Sequence, residues 1–346
     1  MEKTTVFLPK SDFAAGAMAA NSIEWLLMKP RARLALSTCW LSQRHTDGLA
    51  MLREVADMGF EYVELGHGIA LPLVPGILEA LDMGVIKVSS THNFCPLPPG
   101  VAQPSPNYYE PSGSLKSGRE QWVRHTLNSI AFAKRVGADR MVAHMGSLHF
   151  FLGDPSRTFV AAAKGKTQAE LEADSRFAKQ RNALLKKMRQ VAPRYYDRIH
   201  ACLEAVKDAA EQAGLRLGLE NRDGVLELPL DEDTADFFDL MKDLPFVGSW
   251  HDVGHSRIKE RLGLAKVSDL LEATDANRIG FHLHNVSEQG KDHNGLLLED
   301  GTVDFSLIQK HIRPDHAVVL EFSQRVSKQE VEASRLFAQK LIDEAP

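Results

Sequence analysis

The sequence predicts a (β/α)8 barrel in a single domain, and three observations indicate it. Eight short apolar segments, each typical of a buried strand, alternate with segments whose apolar residues recur at helical spacing. No hairpin dipeptide joins neighbouring strands, as an antiparallel sheet would require. The last four strands end on side chains that can bind a metal, which suits a closed barrel better than the alternative, an open doubly wound sheet, whose GxGxxG motif is absent after the first strand.

The composition is that of a cytoplasmic protein with one large core. The chain has 346 residues, of which 44% are hydrophobic, and a formal net charge of -5 disfavours a nucleic-acid partner. Cys39, Cys95 and Cys202 are scattered without CxxC spacing, so we expect neither a disulfide framework nor a thiolate zinc site. No long apolar window is present, so we expect no membrane-spanning helix.

The first half of the barrel follows a segment, residues 1–33, that we interpret as an N-terminal arm. Its predicted strands lie in LALSTCW (34–40), EYVELGHG (61–68), VIKVSSTHNFCPLPPG (85–100) and DRMVAHMG (139–146). Helical spacing predicts helices over 46–58, 74–84 and about 115–136. The prolines after the third strand remove backbone donors and predict an irregular loop.

An insertion is predicted between the fourth and fifth strands. Residues 147–192 include a charged, Ala-rich helical pattern from about 167 to 190, in addition to the helix expected over 193–213. Insertions after a strand's C-terminal end lie above the active face of a barrel. This one is therefore a candidate lid or oligomer contact within the barrel domain, residues 34–346.

The fifth to eighth strands carry the candidate site. They lie in LRLGLEN (215–221), FVGSWHDVGH (246–255), IGFHLHN (279–285) and AVVLEF (317–322). Strand alternation places the carboxylates and imidazoles on the same face as the strand glycines, and in a barrel that face points inward. A mixed set of carboxylate and imidazole donors without thiolates suits one divalent ion such as Mn, Mg, Co or Zn.

Each of these residues also has a structural interpretation. Glu220 could pair with Arg222, and Asp252 could cap the helix that follows it, since Asp is a good N-cap. Glu64 on the second strand is as often structural as functional. Trp40 and Trp250 could belong to the core. Only the joint occurrence of these groups at four strand ends favours a metal site.

Four motifs in order resemble a known family. ENRDG after the fifth strand, DVGH after the sixth, HLHN followed by DGTVDF after the seventh, and LEF on the eighth resemble the xylose isomerase-like TIM barrel superfamily. Within it the chain is most similar to the sugar phosphate isomerases and epimerases, and endonuclease IV is a more distant relative. The resemblance covers about residues 34 to 340, without the arm and the segment near 150–190.

The resemblance implies a ligand set and catalytic roles. The metal ligands would be Glu220, Asp252, His282 and Glu321, with His284 as the alternative to His282. The family commonly places its histidine ligand three residues before an acidic or amide position, which Asn285 provides for His282. Glu220 and Glu321 would also act as acid and base on a sugar whose enediolate the metal stabilises. The candidate substrate-binding residues are His92, His144, His255, His284, Asp292 and His293. Trp40, near the end of the first strand, is a further candidate because an aromatic ring can stack on the apolar face of a sugar.

Other activities remain open at this point. A lyase or dehydratase acting on a keto-sugar or inosose would use the same enediolate. An endonuclease IV-like zinc phosphoesterase is the second alternative, because His92 and His144 match ligands of that enzyme; Asp292 and His293 resemble a further pair, at closer spacing. A further hypothesis is a binding or scaffold protein on a barrel that has lost catalysis. The presence of both glutamates argues against it. The expected partner is a small sugar, and a homo-oligomer is possible.

Overall fold

Eight parallel strands form a closed barrel in the computed structural model, which describes residues 31–101, 103–151 and 153–346. Each strand pairs with the next, and β8 pairs with β1. The strands are β1 Arg33–Ser37, β2 Tyr62–Leu65, β3 Lys87–His92, β4 Arg140–Ala143, β5 Arg216–Glu220, β6 Val247–Asp252, β7 Arg278–Leu283 and β8 Ala317–Leu320. The predicted (β/α)8 fold is confirmed; residues 1–30 of the predicted arm lie outside the described residues.

Helices surround the barrel. Those in the described ranges are α1 Gly48–Asp57, α2 Val74–Asp82, α3 Lys116–Arg135, α4 Arg157–Ala163, α5 Gln168–Ala173, α6 Ser175–Val191, α7 Pro193–Glu204, α8 Lys207–Ala213, α9 Thr234–Leu240, α10 Val253–Arg261, α11 Val267–Thr274, α12 Phe305–Gln309 and α13 Lys328–Asp343. None of these helices is both long and apolar enough to cross a membrane.

The segment between β4 and α7 is helical but not as one continuous helix. The pattern predicted over 167–190 is divided into α5 and α6 at Asp174, whose side chain accepts from the backbone N–H groups of Arg176 and Phe177 and so begins a new helix. Arg261 of α10 donates to the carbonyls of Ala163 and Lys166 and ties this segment to the outer helix layer. The helix predicted over 193–213 is likewise divided into α7 and α8.

The lower part of the barrel interior, toward the N-terminal ends of the strands, is apolar. Trp250 is its largest side chain, and it packs with Ala35, Val142, Ile279, Ala317 and Val319. The indole fits because two neighbouring positions have no Cβ. A Cβ at Gly280 would lie 2.3 Å from the ring, and one at Gly218 would lie 2.9 Å from it. The glycines on the predicted inward face of β5 and β7 therefore leave the space that the Trp250 ring on β6 fills.

Loops at the C-terminal ends of the strands form the opening of the barrel, which we call the mouth. Asn107, in the segment 103–115 before α3, lies at this opening and donates from Nδ2 to Glu227 Oε1 at 3.0 Å. Glu227 lies on the loop after β5, so two loops are joined above the strand ends. This contact holds Asn107 beside the side chains described next.

Candidate metal centre

Four side chains converge at the mouth, and we call these residues the four-residue group. Glu220 ends β5, Asp252 ends β6, His282 lies on β7 and Glu321 follows β8. Each offers one potential ligand atom, and these atoms all lie within 4.8 Å of one another. Glu220, Asp252 and His282 are 0% exposed, and Glu321 is 5% exposed. The structure thus brings together the four side chains that the sequence predicted as metal ligands.

Glu220 occupies the middle of this arrangement. Its Oε1 lies 2.7 Å from His282 Nδ1, and its Oε2 accepts from Arg222 Nη1 at 2.9 Å. Burial alone would raise the pKa of Glu220, but Arg222, His144 and His282 together outweigh it and hold that pKa well below its usual range. The ion pair with Arg222 is present, and it keeps Glu220 ionised and able to attract a cation.

Asp252 has a structural contact as well as a place in the group. Its Oδ1 accepts from the backbone N–H of His255 at 2.7 Å and caps α10. The same carboxylate contacts His284 Nε2 at 2.9 Å. Burial raises the pKa of Asp252, but the charges of His255 and His284 outweigh it and hold the pKa below its usual range. Capping therefore coexists with an ionised carboxylate in the group.

His282 rather than His284 belongs to the four-residue group. Its Nδ1 faces Glu220 and lies 3.2 Å from Glu321 Oε2, while its Nε2 lies 3.1 Å from Glu64 Oε1. His284 instead contacts Asp252 through Nε2, and its Nδ1 accepts from the backbone N–H of His293 at 2.9 Å. Geometry thus separates two histidines that strand alternation alone could not.

Glu64 orients the His282 ring. This carboxylate is 0% exposed, and its Oε2 accepts from Ser90 Oγ at 2.8 Å. Burial raises the pKa of Glu64, but the charge and hydrogen bond of His282, with smaller contributions from His92 and Ser90, together outweigh it and lower that pKa, so Glu64 is an acceptor for a proton on His282 Nε2. Nδ1 is then available to an ion, as in the carboxylate–histidine pairs that support many metal sites. The sequence showed Glu64 only as an acidic residue on a strand.

His92 and His144, the histidine pair, lie on the other side of Glu220. His144 Nε2 is 2.7 Å from Glu220 Oε2, and His92 Nε2 is 3.8 Å from it. His92 Nδ1 lies 3.0 Å from the carbonyl oxygen of Asn93, which can only accept. His92 Nδ1 is therefore the nitrogen that donates, and Nε2 is the nitrogen that faces Glu220.

Asn107 determines the tautomer of His144. Burial raises the pKa of Glu227, but the charge of Arg222 and several smaller contributions together outweigh it and lower that pKa. Glu227 is therefore an acceptor, and the amide nitrogen of Asn107 faces it. The amide oxygen then accepts from His144 Nδ1 at 2.8 Å, which leaves His144 Nε2 without a proton. That atom is buried and accepts no hydrogen bond from any residue that the structure describes. The lone pair of His144 Nε2 and a carboxylate oxygen of Glu220 thus face each other at 2.7 Å, an arrangement that a cation relieves.

A third group of candidate ligands adjoins Asp252. It consists of His255, His284 and His293, and His293 Nδ1 lies 3.1 Å from His284 Nε2. Burial, opposed by the charge of Asp252, lowers the pKa of His255 well below its usual value, so this imidazole is neutral and can act as a ligand or acceptor. Asp292 is next to His293 in the chain, but its side chain is not a member of this group.

The aromatic candidates lie in the core. Trp40 is 2% exposed, its Nε1 donates to the carbonyl of Val326 at 2.8 Å, and the Arg44 guanidinium stacks on its ring. Trp250 fills the lower barrel, as described above. Both positions favour the packing role over a role as a platform for a sugar ring.

Two residues at the mouth were not singled out from the sequence. Cys39 Sγ lies 3.7 Å from His67 Nδ1, and both lie close to Glu321. The scattered cysteines had indicated no site, although Cys39 and His67 lie near the ends of the predicted segments 34–40 and 61–68, which was the available signal. For Asn107 the sequence held no signal, because its position depends on the path of a long loop.

The chemistry of the four-residue group fits a divalent cation. Three of its members are carboxylates, and Glu64 adds a fourth buried carboxylate next to His282. Buried anions are stable only when paired, and Arg222 is the permanently charged cation in contact with the group. Oxygen donors with one imidazole suit Mn, Mg, Co or Zn, and the group contains no thiolate.

Known proteins share this fold. Residues 52–339 match the family described as xylose isomerase-like TIM barrel. A D-tagatose 3-epimerase-like protein is 14% identical, with 90% of this chain and 97% of that chain covered and a TM-score of 0.62. The 3-keto-D-glucoside 4-epimerase of E. coli is 14% identical, with 90% and 99% covered and a TM-score of 0.60. A putative xylose isomerase of Rhodospirillum rubrum is 15% identical, with 91% and 99% covered and a TM-score of 0.63. No protein in the curated set matches the chain.

Proposed function

Because the chain belongs to the xylose isomerase-like TIM barrel family, we propose that it is a divalent-metal-dependent isomerase or epimerase acting on a sugar or sugar derivative. The observation that carries the proposal is the buried four-residue group, in which two glutamates approach His282 Nδ1 from β5 and from the end of β8. Several structures of similar fold are named as sugar epimerases, which supports the same substrate class.

The proposed ligands of one divalent ion are Glu220, Asp252, His282 and Glu321, and the metal is Mn, Mg, Co or Zn. Glu64 holds His282 in the required orientation. A bound divalent ion would stabilise the negative charge that develops on the substrate oxygens when a proton leaves the neighbouring carbon. The protein's own contribution is to hold three anionic groups at fixed positions around the reacting atoms.

Glu220 and Glu321 are the proposed acid and base. Their strands are separated by β6 and β7, so the carboxylates reach the substrate from different directions. Arg222 keeps Glu220 ionised, which suits the carboxylate that removes the proton from the carbon atom. The other glutamate returns a proton to the enediolate. General acid–base catalysis of this kind contributes roughly 100- to 10,000-fold in rate.

The proposed substrate contacts are the histidines around this group. They are His92, His144, His255, His284 and His293, with Asp292 beside the last. Imidazoles fixed by neighbouring backbone and amide groups present a defined pattern of donors and acceptors to sugar hydroxyls. The proposal does not extend to Trp40, because its ring is buried in the core and its N–H is already bonded.

Exchange of substrate hydrogen with solvent tests the proposal. The metal-loaded protein is incubated with a panel of ketoses and keto-sugars in heavy water, and NMR follows deuterium at the carbon next to the carbonyl. We expect metal-dependent incorporation that Glu321→Gln slows roughly 100- to 10,000-fold. Irreversible loss of water instead would indicate a lyase or dehydratase. Absence of exchange with every substrate would contradict the proposal.

A second candidate function is a zinc phosphoesterase related to endonuclease IV. It is favoured by the histidine pair, whose Nε2 atoms face Glu220, and by the third group at Asp252. These groups could hold further ions on either side of the first. Two or three zinc ions per chain together with cleavage of DNA at abasic sites would support it. The net charge of -5 opposes a polyanionic substrate.

A further inference from the structure

Cys39 and His67 lie next to each other at the mouth, on the side of the barrel formed by β1 and β2. Cys39 is in the short 3-10 turn Thr38–Trp40 after β1, and His67 follows β2 by two residues. Glu321 follows β8, which pairs with β1. Three neighbouring strands therefore bring a thiol, an imidazole and a carboxylate together, and their ligand atoms lie within 4.8 Å of one another.

The spacing suits a single tetrahedral ion. Cys39 Sγ and His67 Nδ1 are 3.7 Å apart. With Zn–S near 2.3 Å and Zn–N near 2.0 Å, two ligands of a tetrahedral zinc ion lie about 3.5 Å apart. One ion can therefore contact both atoms with almost no movement of either side chain. A carboxylate oxygen of Glu321 supplies a third ligand.

The backbone fixes the thiol in this position. The N–H of Gly66 donates to Thr38 Oγ1 at 2.8 Å, which locks the end of β2 to the turn that carries Cys39. A Cβ at position 66 would lie 2.6 Å from Cys39 Sγ, so the glycine provides the space that the sulfur occupies. The site is thus built from fixed elements.

Access and chemistry distinguish this place from the four-residue group. Cys39 and His67 are partly exposed, whereas Glu321 is buried, so an ion can enter from the mouth. A thiolate prefers soft or borderline ions such as Zn²⁺, Co²⁺ and Cd²⁺, whereas the carboxylate-rich group also accepts the hard ions Mn²⁺ and Mg²⁺. The two places therefore select different ions.

We propose that Cys39, His67 and Glu321 form a second cation site for a thiophilic divalent ion, with Glu321 shared between this site and the four-residue group. Binding displaces the thiol proton to solvent and leaves the fourth coordination position open. The proposal does not depend on the reaction that the protein catalyses. It depends only on the three side chains and on their separation.

Cobalt absorption tests the site directly. The full-length protein is freed of metal and titrated with Co²⁺, and thiolate-to-cobalt charge transfer is followed in the near ultraviolet. We expect a band that saturates at about one thiolate-bound ion per chain. Cys39→Ala should abolish it, while the matched change Cys202→Ala, at a buried thiol in α7, should leave it unchanged. His67→Ala should weaken binding about tenfold or more.

Asp252→Asn separates the two sites. Asn remains a good N-cap for α10, so the variant keeps its fold while losing a proposed ligand of the four-residue group. The charge-transfer band should persist in this variant, whatever its activity, and circular dichroism confirms folding of every variant. A wild-type protein that gives no band at saturating Co²⁺, or a band that survives Cys39→Ala, overturns the proposal.

Discussion

The two halves of the barrel interior are filled according to different rules. In the lower half, Trp250 packs over Gly218 and Gly280 among small and β-branched side chains. Two residues farther along β6, Asp252 belongs to a buried group of carboxylates and imidazoles. The same strands supply both halves, so the difference lies in the side chains and not in the backbone.

This difference teaches which positions serve stability and which serve chemistry. Apolar packing at native density contributes directly to the free energy of unfolding. A buried network of charges is weak evidence for stability, because desolvation offsets much of the attraction. Substitutions in the lower half should therefore change stability first, whereas those in the upper half should change metal binding and activity first.

The largest effect is expected from Glu321→Gln. The amide keeps the shape of the side chain but cannot exchange a proton, so kcat/KM for the exchange reaction should fall roughly 100- to 10,000-fold. Glu272→Gln, at an exposed position on α11, is the matched control and should change neither rate nor stability. A Glu321→Gln variant with wild-type activity would remove Glu321 from the proposed chemistry.

Next in size is the effect of Trp250→Ala on folding. The indole is 1% exposed and fills the lower barrel, so its removal leaves a cavity that should lower the free energy of unfolding by about 3–5 kcal/mol. Denaturant titration followed by circular dichroism measures this change. A loss below about 1 kcal/mol would mean that the lower half is not packed as described.

A smaller effect follows from Gly280→Ala. The added methyl group would lie 2.3 Å from Trp250 Cζ3, so the indole or the strand must shift. Overpacking of this kind typically destabilises a protein by about 1–3 kcal/mol. The double variant with Trp250→Ala should recover much of that loss, since the clashing ring is gone. Additive losses in the double variant would contradict direct contact between the two positions.

The pH dependence of stability separates two histidines on neighbouring strands. Burial and the charge of Arg278 lower the pKa of His251, on the outer face of β6, to about 3. Because its unfolded pKa is near 6.5, the unfolded state binds more protons between these values, and stability falls as pH falls from about 6.5 toward 3. Burial alone would also lower the pKa of His282, but the charges of Glu321 and Glu64 outweigh it and raise the pKa of this histidine.

Replacing the neutral histidine tests this account. In the metal-free protein, the free energy of unfolding should fall less steeply with decreasing pH in His251→Gln than in the wild type. The two slopes should differ by about 1.4 kcal/mol per pH unit between roughly pH 4 and 6. Chemical denaturation at several pH values measures the slope. An unchanged slope would show that His251 is already protonated in the folded protein.

The sequence was sufficient where local rules decide the outcome. Strand alternation is a property of the backbone, so the order of residues alone places Glu220, Asp252 and His282 on the inward face. Parallel strands end at the same rim, so their terminal side chains had to be neighbours. The barrel and the meeting of carboxylates and imidazoles at one rim followed from these two facts, whereas the choice of His282 over His284 came from the family resemblance and is settled by their contacts.

Contacts set by loops and by helix interruptions could not be obtained in this way. Asn107 reaches His144 only because its segment lies at the mouth and is held by Glu227. Cys39 and His67 are in contact because β1 and β2 are neighbours in the closed barrel. The distance between the two side chains depends on the register of these strands, which the sequence pattern does not give. The division at Asp174 was readable in principle as an N-cap, but the helical pattern continues across it.

Manganese binding tests the central claim most directly. The full-length protein is saturated with Mn²⁺, a hard ion that the thiol site does not favour, and then dialysed and analysed for metal content. The four-residue group predicts about one ion per chain in the wild type and none in Asp252→Asn or Glu220→Gln. A wild type that retains no Mn²⁺, or variants that bind as much as the wild type, would contradict it.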